Sequence, residues 1–269
     1  MTDALEASLP SAGDARWGVR VVDLDGGDVL VDHGADRRLS TASVGKIFLL
    51  LEVADRLASG ALRTGHLVDR RAVEPVADSG LWQHLAADVL PVGDAAALVG
   101  AVSDNLATNV LLDLVGLAAV QQWPARLGLA ETALHDKVRD VRRPSDPPAL
   151  STGTAAELAE VMRSLHAGEV RAARRVLGWL RLGTDLSMVG QAFNLDPLAH
   201  AEPDRGVRLI NKTGTDTGVR ADVGLVYGPR RRVAYAVVAN WTPEGPADPH
   251  RDAVLAGMRQ IGAHIRAVV

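Results

Sequence analysis

Cysteine is absent from the 269 residues. That excludes a thiol nucleophile, a disulfide framework and cysteine-ligated metals. Aromatic side chains make up only 3%, so small and branched aliphatic residues must fill the core. The five Trp are dispersed and offer no stacking platform for nucleic-acid bases. The formal charge of −4 provides no basic footprint for nucleic acid. No apolar run is long enough to span a membrane. The opening MTDALEASLPSAGDARWG has no basic segment followed by an apolar one. The chain as written is therefore expected in the cytoplasm; a secreted chain whose leader has been cleaved would read the same. The eight histidines show no H-E-x-x-H or comparable metal spacing, so no metal or other cofactor is expected. Neither a G-x-x-x-x-G-K-[ST] loop nor a G-x-S-x-G elbow occurs, which argues against a P-loop fold and an α/β-hydrolase.

What is present is an ordinary globular composition, 47% apolar and 23% charged. Residues 17–33 read as a hairpin, WGVRVVDL and DVLVDH around Asp25-Gly26-Gly27. Apolar spacing turns helical over 44–57 and again near 94–102, 106–115, 117–127, 154–166, 168–181 and 248–266. Residues 60–92 read as irregular. Residues 135–153 read as a long polar, Pro-rich loop, a length that usually serves function. Three strand-like runs follow: VRLINKT, VRADVGLVY and RVAYAVVAN. Strands at both ends and helices between them predict an α/β (α+β) fold. A five-stranded antiparallel sheet is expected, flanked by terminal helices and joined to an all-helical lobe. The whole of 1–269 is expected to be a single catalytic domain. Its sheet lobe would take about 15–40 and 200–269, its helical lobe about 41–199, with the site between them.

Ser43-Val44-Gly45-Lys46 stands at the start of an apolar helix. The i, i+3 spacing puts Ser43 and Lys46 on one face. A serine hydroxyl needs a base to take its proton, and lysine can serve once burial and nearby positive charge lower its pKa. The helix N-terminus aims free N–H groups at a reacting carbonyl. Alone, the tetrad reads as a helix cap followed by a surface lysine. Ser103-Asp104-Asn105, between two helical stretches, reads alone as another cap. Lys212-Thr213-Gly214 reads alone as the end of a strand. In this order and these contexts the three form the known S-x-x-K, S-D-N, K-T-G signature.

The sequence resembles the class A β-lactamase-like serine hydrolases, including the penicillin-binding proteins. The likeness extends through SGLWQHL, AVSDNLATNVLLDLVG and NKTGTDTGVRADVGLVYG, and covers roughly residues 17–266. It implies a fold of the DD-peptidase and β-lactamase kind, and an acyl-enzyme formed with a β-lactam or a related amide or ester. It implies Ser43 as nucleophile, Lys46 as its base and Ser103 as a relay toward the leaving nitrogen. Lys212 would keep the site electropositive. Asn105 would bind the substrate's side-chain amide and hold Lys46. Thr213, in the Lys212-Thr213-Gly214 strand, would bind a substrate carboxylate, and Arg220 would hold the same carboxylate. The backbone N–H groups of Ser43 and Thr215 would form the oxyanion hole. The partner is thus a small molecule, with no nucleic acid or membrane, and the chain is expected to be a monomer.

The family's E-x-x-L-N glutamate, which activates the deacylating water, has no counterpart here. The simplest register puts Arg139 in its place, with Asp140 beside it and expected in ion pairs with Arg139 or Arg142. Slow deacylation follows. Two alternatives stay open: a cytoplasmic esterase, transacylase or peptidase on the same fold, and a penicillin-binding protein or sensor that acylates without turnover.

Overall fold

The computed structural model describes residues 13–245 and 247–269. The first twelve residues, part of the stretch read for a leader, lie outside the described residues. Five strands form the main sheet: β1 (Arg16–Asp23), β2 (Val29–His33), β3 (Arg208–Asp216), β4 (Val219–Tyr227) and β5 (Arg232–Asn240). Six helices matter to the site: α1 (Lys46–Ser59), α2 (Val92–Val102), α3 (Asn105–Val115), α4 (Ala155–Ala167), α5 (Ala173–Leu180) and α6 (Pro249–Val268).

The sheet is antiparallel throughout, in the order β2-β1-β5-β4-β3. Gly27, at a φ of +79°, helps turn β1 into β2. The two ends of the chain meet where β1 pairs with β5, from Arg16↔Asn240 to Asp23↔Val233. That pairing leaves β3, which carries Lys212-Thr213-Gly214, on the outer edge.

Strand side chains alternate between faces. On β5, Val233, Tyr235, Val237 and Ala239 join the cluster under α6, while Ala234, Ala236 and Val238 join the core shared with the other helices. Helix α6 presents Val254, Met258, Ile261 and Ile265 along one stripe. It is started by Pro249 and by Asp248, whose side chain accepts the His250 N–H. Helix α4 covers the opposite face, against β1, β4 and β5. The sequence reading grouped this helix with the helical lobe. Helix α1 runs through the interior and is buried on every side from Lys46 to Ala54, with α2, α3 and α5 around it.

The remaining differences from the sequence expectations are local. The stretch 117–127 forms two single turns, Leu117–Val120 and Trp123–Arg126, separated by Gln121 and Gln122. The stretch 168–181 is helical only over Ala173–Leu180. Within 60–92, Leu67–Asp69 pairs with Val89–Pro91. The loop after residue 134 ends in a strand, Ser151–Gly153, held between Leu39–Ser40 and Ala133–Leu134. Among the described residues no helix is long and apolar enough to cross a membrane.

Candidate active site

Ser43 lies in a 3₁₀ turn, Ala42–Gly45, which runs directly into α1 at Lys46. The preceding Ala42 has a φ of +47°, a conformation that costs a non-glycine residue about 1–3 kcal/mol. Buried hydrogen bonds hold it there. Ser151 Oγ donates to the Ala42 carbonyl at 2.6 Å, and Thr41 Oγ1 lies 2.6 Å from Ser151 Oγ. A Cβ on Gly45 would overlap Ser151, so the turn closes only with glycine there.

Lys46 is 0% exposed. Its Nζ donates to Ser103 O at 2.7 Å, Asn105 Oδ1 at 2.7 Å and Ser103 Oγ at 3.2 Å. Burial, then the Lys212 charge, push its ammonium well below the usual lysine range, against the pull of Asp104 and Asp78. Ser103 and Asn105 reach it because the α2–α3 junction is sharply bent, with Ser103 at a φ of +56°. Asp104 holds that bend. Its carboxylate caps α3 through the Ala107 N–H at 2.8 Å and also accepts the N–H groups of Leu81 (2.7 Å) and Trp82 (2.8 Å). The SGLWQHL segment is thereby fastened beside the site, and Asn105 Nδ2 donates to Ala77 O at 3.0 Å.

From β3, Lys212 Nζ donates to Ser103 Oγ at 3.0 Å and to Thr213 O at 2.6 Å. Ser103 Oγ therefore stands between the two lysines. Burial lowers the Lys212 pKa to about 8, although Asp185 and Asp222 pull it upward. Gly214 is the point of closest approach between β3 and the Ser43 turn: a Cβ there would overlap Thr41 O and press on Ser43 N.

Ser43, Ser79, Ser103, Lys212, Thr213 and Thr215 line one cleft of about 160 Å³. Lys46 and Asn105 are buried behind it. Arg220 is opposite Thr215 in the β3–β4 register but does not line this cleft. Its guanidinium sits 5.9 Å from the Trp241 ring centroid, and Nη1 donates to the carbonyls of Asp216 (3.0 Å) and Val219 (2.7 Å).

The sequence reading missed Asp185, the carboxylate among the residues lining this cleft. Its Oδ1 accepts Ser187 Oγ–H at 2.6 Å and Ser187 N–H at 3.0 Å. Burial pushes its carboxyl up, but hydrogen bonds from Ser187 and Thr213 and the Lys212 charge outweigh that and leave it below its ordinary value. The D-x-S turn between a helical stretch and the Lys212 strand was the available signal.

The long loop is built differently from the sequence expectation. Asp136, not Asp140, pairs with the arginines: Arg139 Nε at 2.7 Å and Arg142 Nη1 at 2.8 Å. Burial pushes the Asp136 carboxyl up, but the two guanidiniums hold it below the ordinary value. Asp140 accepts the Ala77 N–H at 3.0 Å. Arg139 turns into a separate cavity of about 990 Å³, between residues 70–75, α3 and the loop. The residue fastened to the site helix is Val138. Asn109, one turn after Asn105, donates to Val138 O at 2.9 Å and accepts Val138 N–H at 2.9 Å. No residue of 135–150 lines the Ser43 cleft. Among the described residues no group of three or more His, Asp or Glu is placed to hold a metal.

A buried amine one turn from a serine, with a second lysine and a shared hydroxyl, is equipped for proton transfer during acyl transfer. The fold around it has close counterparts. A beta-lactamase from Sphaerobacter thermophilus superposes with a TM-score of 0.83 at 28% identity, over 99% of this chain and 97% of that one. PBP-A (0.79, 20% identity, 98% and 94% covered) and a beta lactamase from Xanthomonas campestris (0.81, 19% identity, 99% and 96% covered) share the fold. The model of the beta-lactamase enzyme family matches residues 1–268. The chain belongs to that family and is a serine hydrolase of the β-lactamase type.

Proposed function

We propose that Ser43 forms an acyl-enzyme with a β-lactam or a related amide or ester, and that hydrolysis of this acyl-enzyme is the slow step. The observation that carries the first half is the buried Lys46 amine, with Ser103 Oγ between it and Lys212. A neutral amine has two N–H donors and one lone pair. Asn105 Oδ1 and Ser103 O take the donors at 2.7 Å, and the lone pair remains to accept a proton.

Ser43 Oγ attacks the carbonyl carbon, and its proton passes to Lys46. The carbonyl oxygen becomes an oxyanion held by the N–H groups of Ser43 and Thr215, at the close approach that Gly214 permits. The carbon–nitrogen or carbon–oxygen bond then breaks. Ser103 gives its hydroxyl proton to the leaving atom and is reprotonated from Lys46, so the amine returns to its starting state. Lys212 steadies the charge throughout. Asn105 holds Lys46 and offers an amide to the substrate. Thr213 and Thr215 receive the far end of the substrate, with Arg220 behind them.

The second half rests on the loop. Hydrolysis needs a base that holds water against the ester, and such assistance is worth ~10²–10⁴-fold. Val138 has no such group, Arg139 cannot accept a proton, and the Asp136 carboxylate is bound by two guanidiniums. A PBP-A variant that shares the fold was captured as an acyl-enzyme with penicillin G.

Intact-protein mass spectrometry after mixing with a penicillin, a cephalosporin and an aryl ester tests the reading. A persistent one-to-one adduct that is absent from Ser43→Ala is expected. An adduct on the alanine variant would overturn Ser43 as nucleophile. Fast turnover without a burst would overturn slow deacylation.

A further inference from the structure

The resemblance gives the Thr213 end of the cleft to a substrate carboxylate, yet the protein places a carboxylate of its own there. Asp185 lines the same cleft as Thr213 and Thr215. It cannot easily swing aside. Ser187 holds its Oδ1 through two hydrogen bonds. Its own carbonyl accepts Asn211 Nδ2 at 3.2 Å, and the preceding Thr184 N–H donates to Ala101 O in α2 at 3.1 Å. The segment is thus pinned to both walls of the cleft.

One consequence follows from elementary chemistry. Asp185 offsets the positive charge of Lys212 and Arg220. A second carboxylate brought to the same cations would face a fixed like charge in a partly buried cleft, where such repulsion is only weakly screened.

We propose that Asp185 is the specificity-determining residue of the cleft, selecting acyl donors with a neutral or cationic group at the Thr213–Thr215 end over donors with a carboxylate there. This rests on the Ser43 acyl-enzyme reading and narrows its substrate class to esters and amides whose leaving half is not anionic.

The test uses the full chain and a matched pair: a chromogenic cephalosporin with its free ring carboxylate, and the methyl ester of that carboxylate. The rate constant of Ser43 labelling is measured for each by stopped flow and checked by mass. The parent protein should label with the ester roughly tenfold faster or more. Asp185→Asn retains an oxygen acceptor for Ser187, and should shift that ratio toward the free carboxylate by about tenfold. An unchanged ratio, with both compounds still labelling Ser43, would overturn the proposal. Labelling by neither compound would overturn the Ser43 reading and this inference with it. A variant-free measurement guards against misfolding of Asp185→Asn: phenylboronic acid should bind the parent at least several-fold tighter than 3-carboxyphenylboronic acid. Equal or tighter binding of the carboxylated compound would refute the selection.

Discussion

Two clusters of charge flank α3, and they are built on opposite plans. On the cleft side, Lys46 and Lys212 converge on Ser103 Oγ, and among the described residues no carboxylate is bonded to either. Burial drives both amines toward neutrality, and at Lys46 the Lys212 charge adds to it. On the loop side, one carboxylate, Asp136, is shared by Arg139 and Arg142 and stays ionised. The difference separates reactive groups from scaffold. Compensated charge keeps its proton state and fixes a chain, whereas uncompensated buried charge is ready to exchange a proton.

Lys46→Met should break the comparison hardest. Acylation measured by stopped flow should fall by ~10²–10⁴-fold. The thermal midpoint should stay at or above the parent's, because a buried amine without a carboxylate partner is removed. A large loss of stability would mean that Lys46 is chiefly structural.

The converse variant is Asp136→Asn. It leaves two guanidiniums without their shared carboxylate and should cost about 2 kcal/mol in urea unfolding, discounted for the partial exposure of both arginines. The acylation rate should stay within about twofold. A collapse in acylation would tie the loop to the first chemical step.

A smaller effect sharpens the contrast through pH. Under the proposed mechanism acylation needs Lys46 neutral, so its rate should rise as pH climbs through the lowered Lys46 pKa. It should fall again near pH 8, where Lys212 loses its proton. In Lys212→Arg that alkaline limb should disappear from the accessible range, since arginine stays charged. A limb that persists near 8 in the arginine variant would belong to another group.

Asp222 supplies the smallest test. Behind Lys212, this buried carboxylate accepts from Asn211 (3.0 Å), Tyr235 (2.9 Å) and the Val189 N–H (3.0 Å). Among the described residues no cation forms an ion pair with it, and burial raises its pKa to about 6 from 3.8. Here the folded state binds the proton more tightly than the unfolded chain does. The resulting stabilisation is full below about pH 4 and is lost as pH rises through about 6. Asp222→Asn should therefore gain about 1–2 kcal/mol relative to the parent between pH 4.5 and 7. A constant difference across that range would show that Asp222 does not titrate there.

The sequence was informative where spacing is local. Ser43 and Lys46 lie one turn apart, and Ser103 and Asn105 flank a capping Asp, so each pair stands on one side of its turn wherever that turn forms. RVAYAVVAN likewise reads as a strand from its own residues, and in the fold it is apolar on both faces. For Asp185 the sequence offered only the D-x-S turn signal, and no periodicity places that turn at the cleft. It reaches the cleft only because Asn211 and Ala101 pin its segment from distant parts of the chain. The loop register failed for a related reason. Counting residues made Arg139 the neighbour of the site, whereas Asn109 fastens Val138 there and Asp136 draws Arg139 away.

The pairing of β1 with β5 has a consequence for how the protein is made. On one side β1 pairs with the nearby β2, but on the other its partner lies in residues 232–240, so the central ladder of the sheet joins segments far apart in sequence. Contacts so distant in sequence slow folding and leave strand edges bare meanwhile. The edge strand with Lys212 is set in place by β4, which itself leans on β5. Helices α1–α3 can thus form early, whereas Lys212 reaches Ser103 only once β3 is paired in the completed sheet.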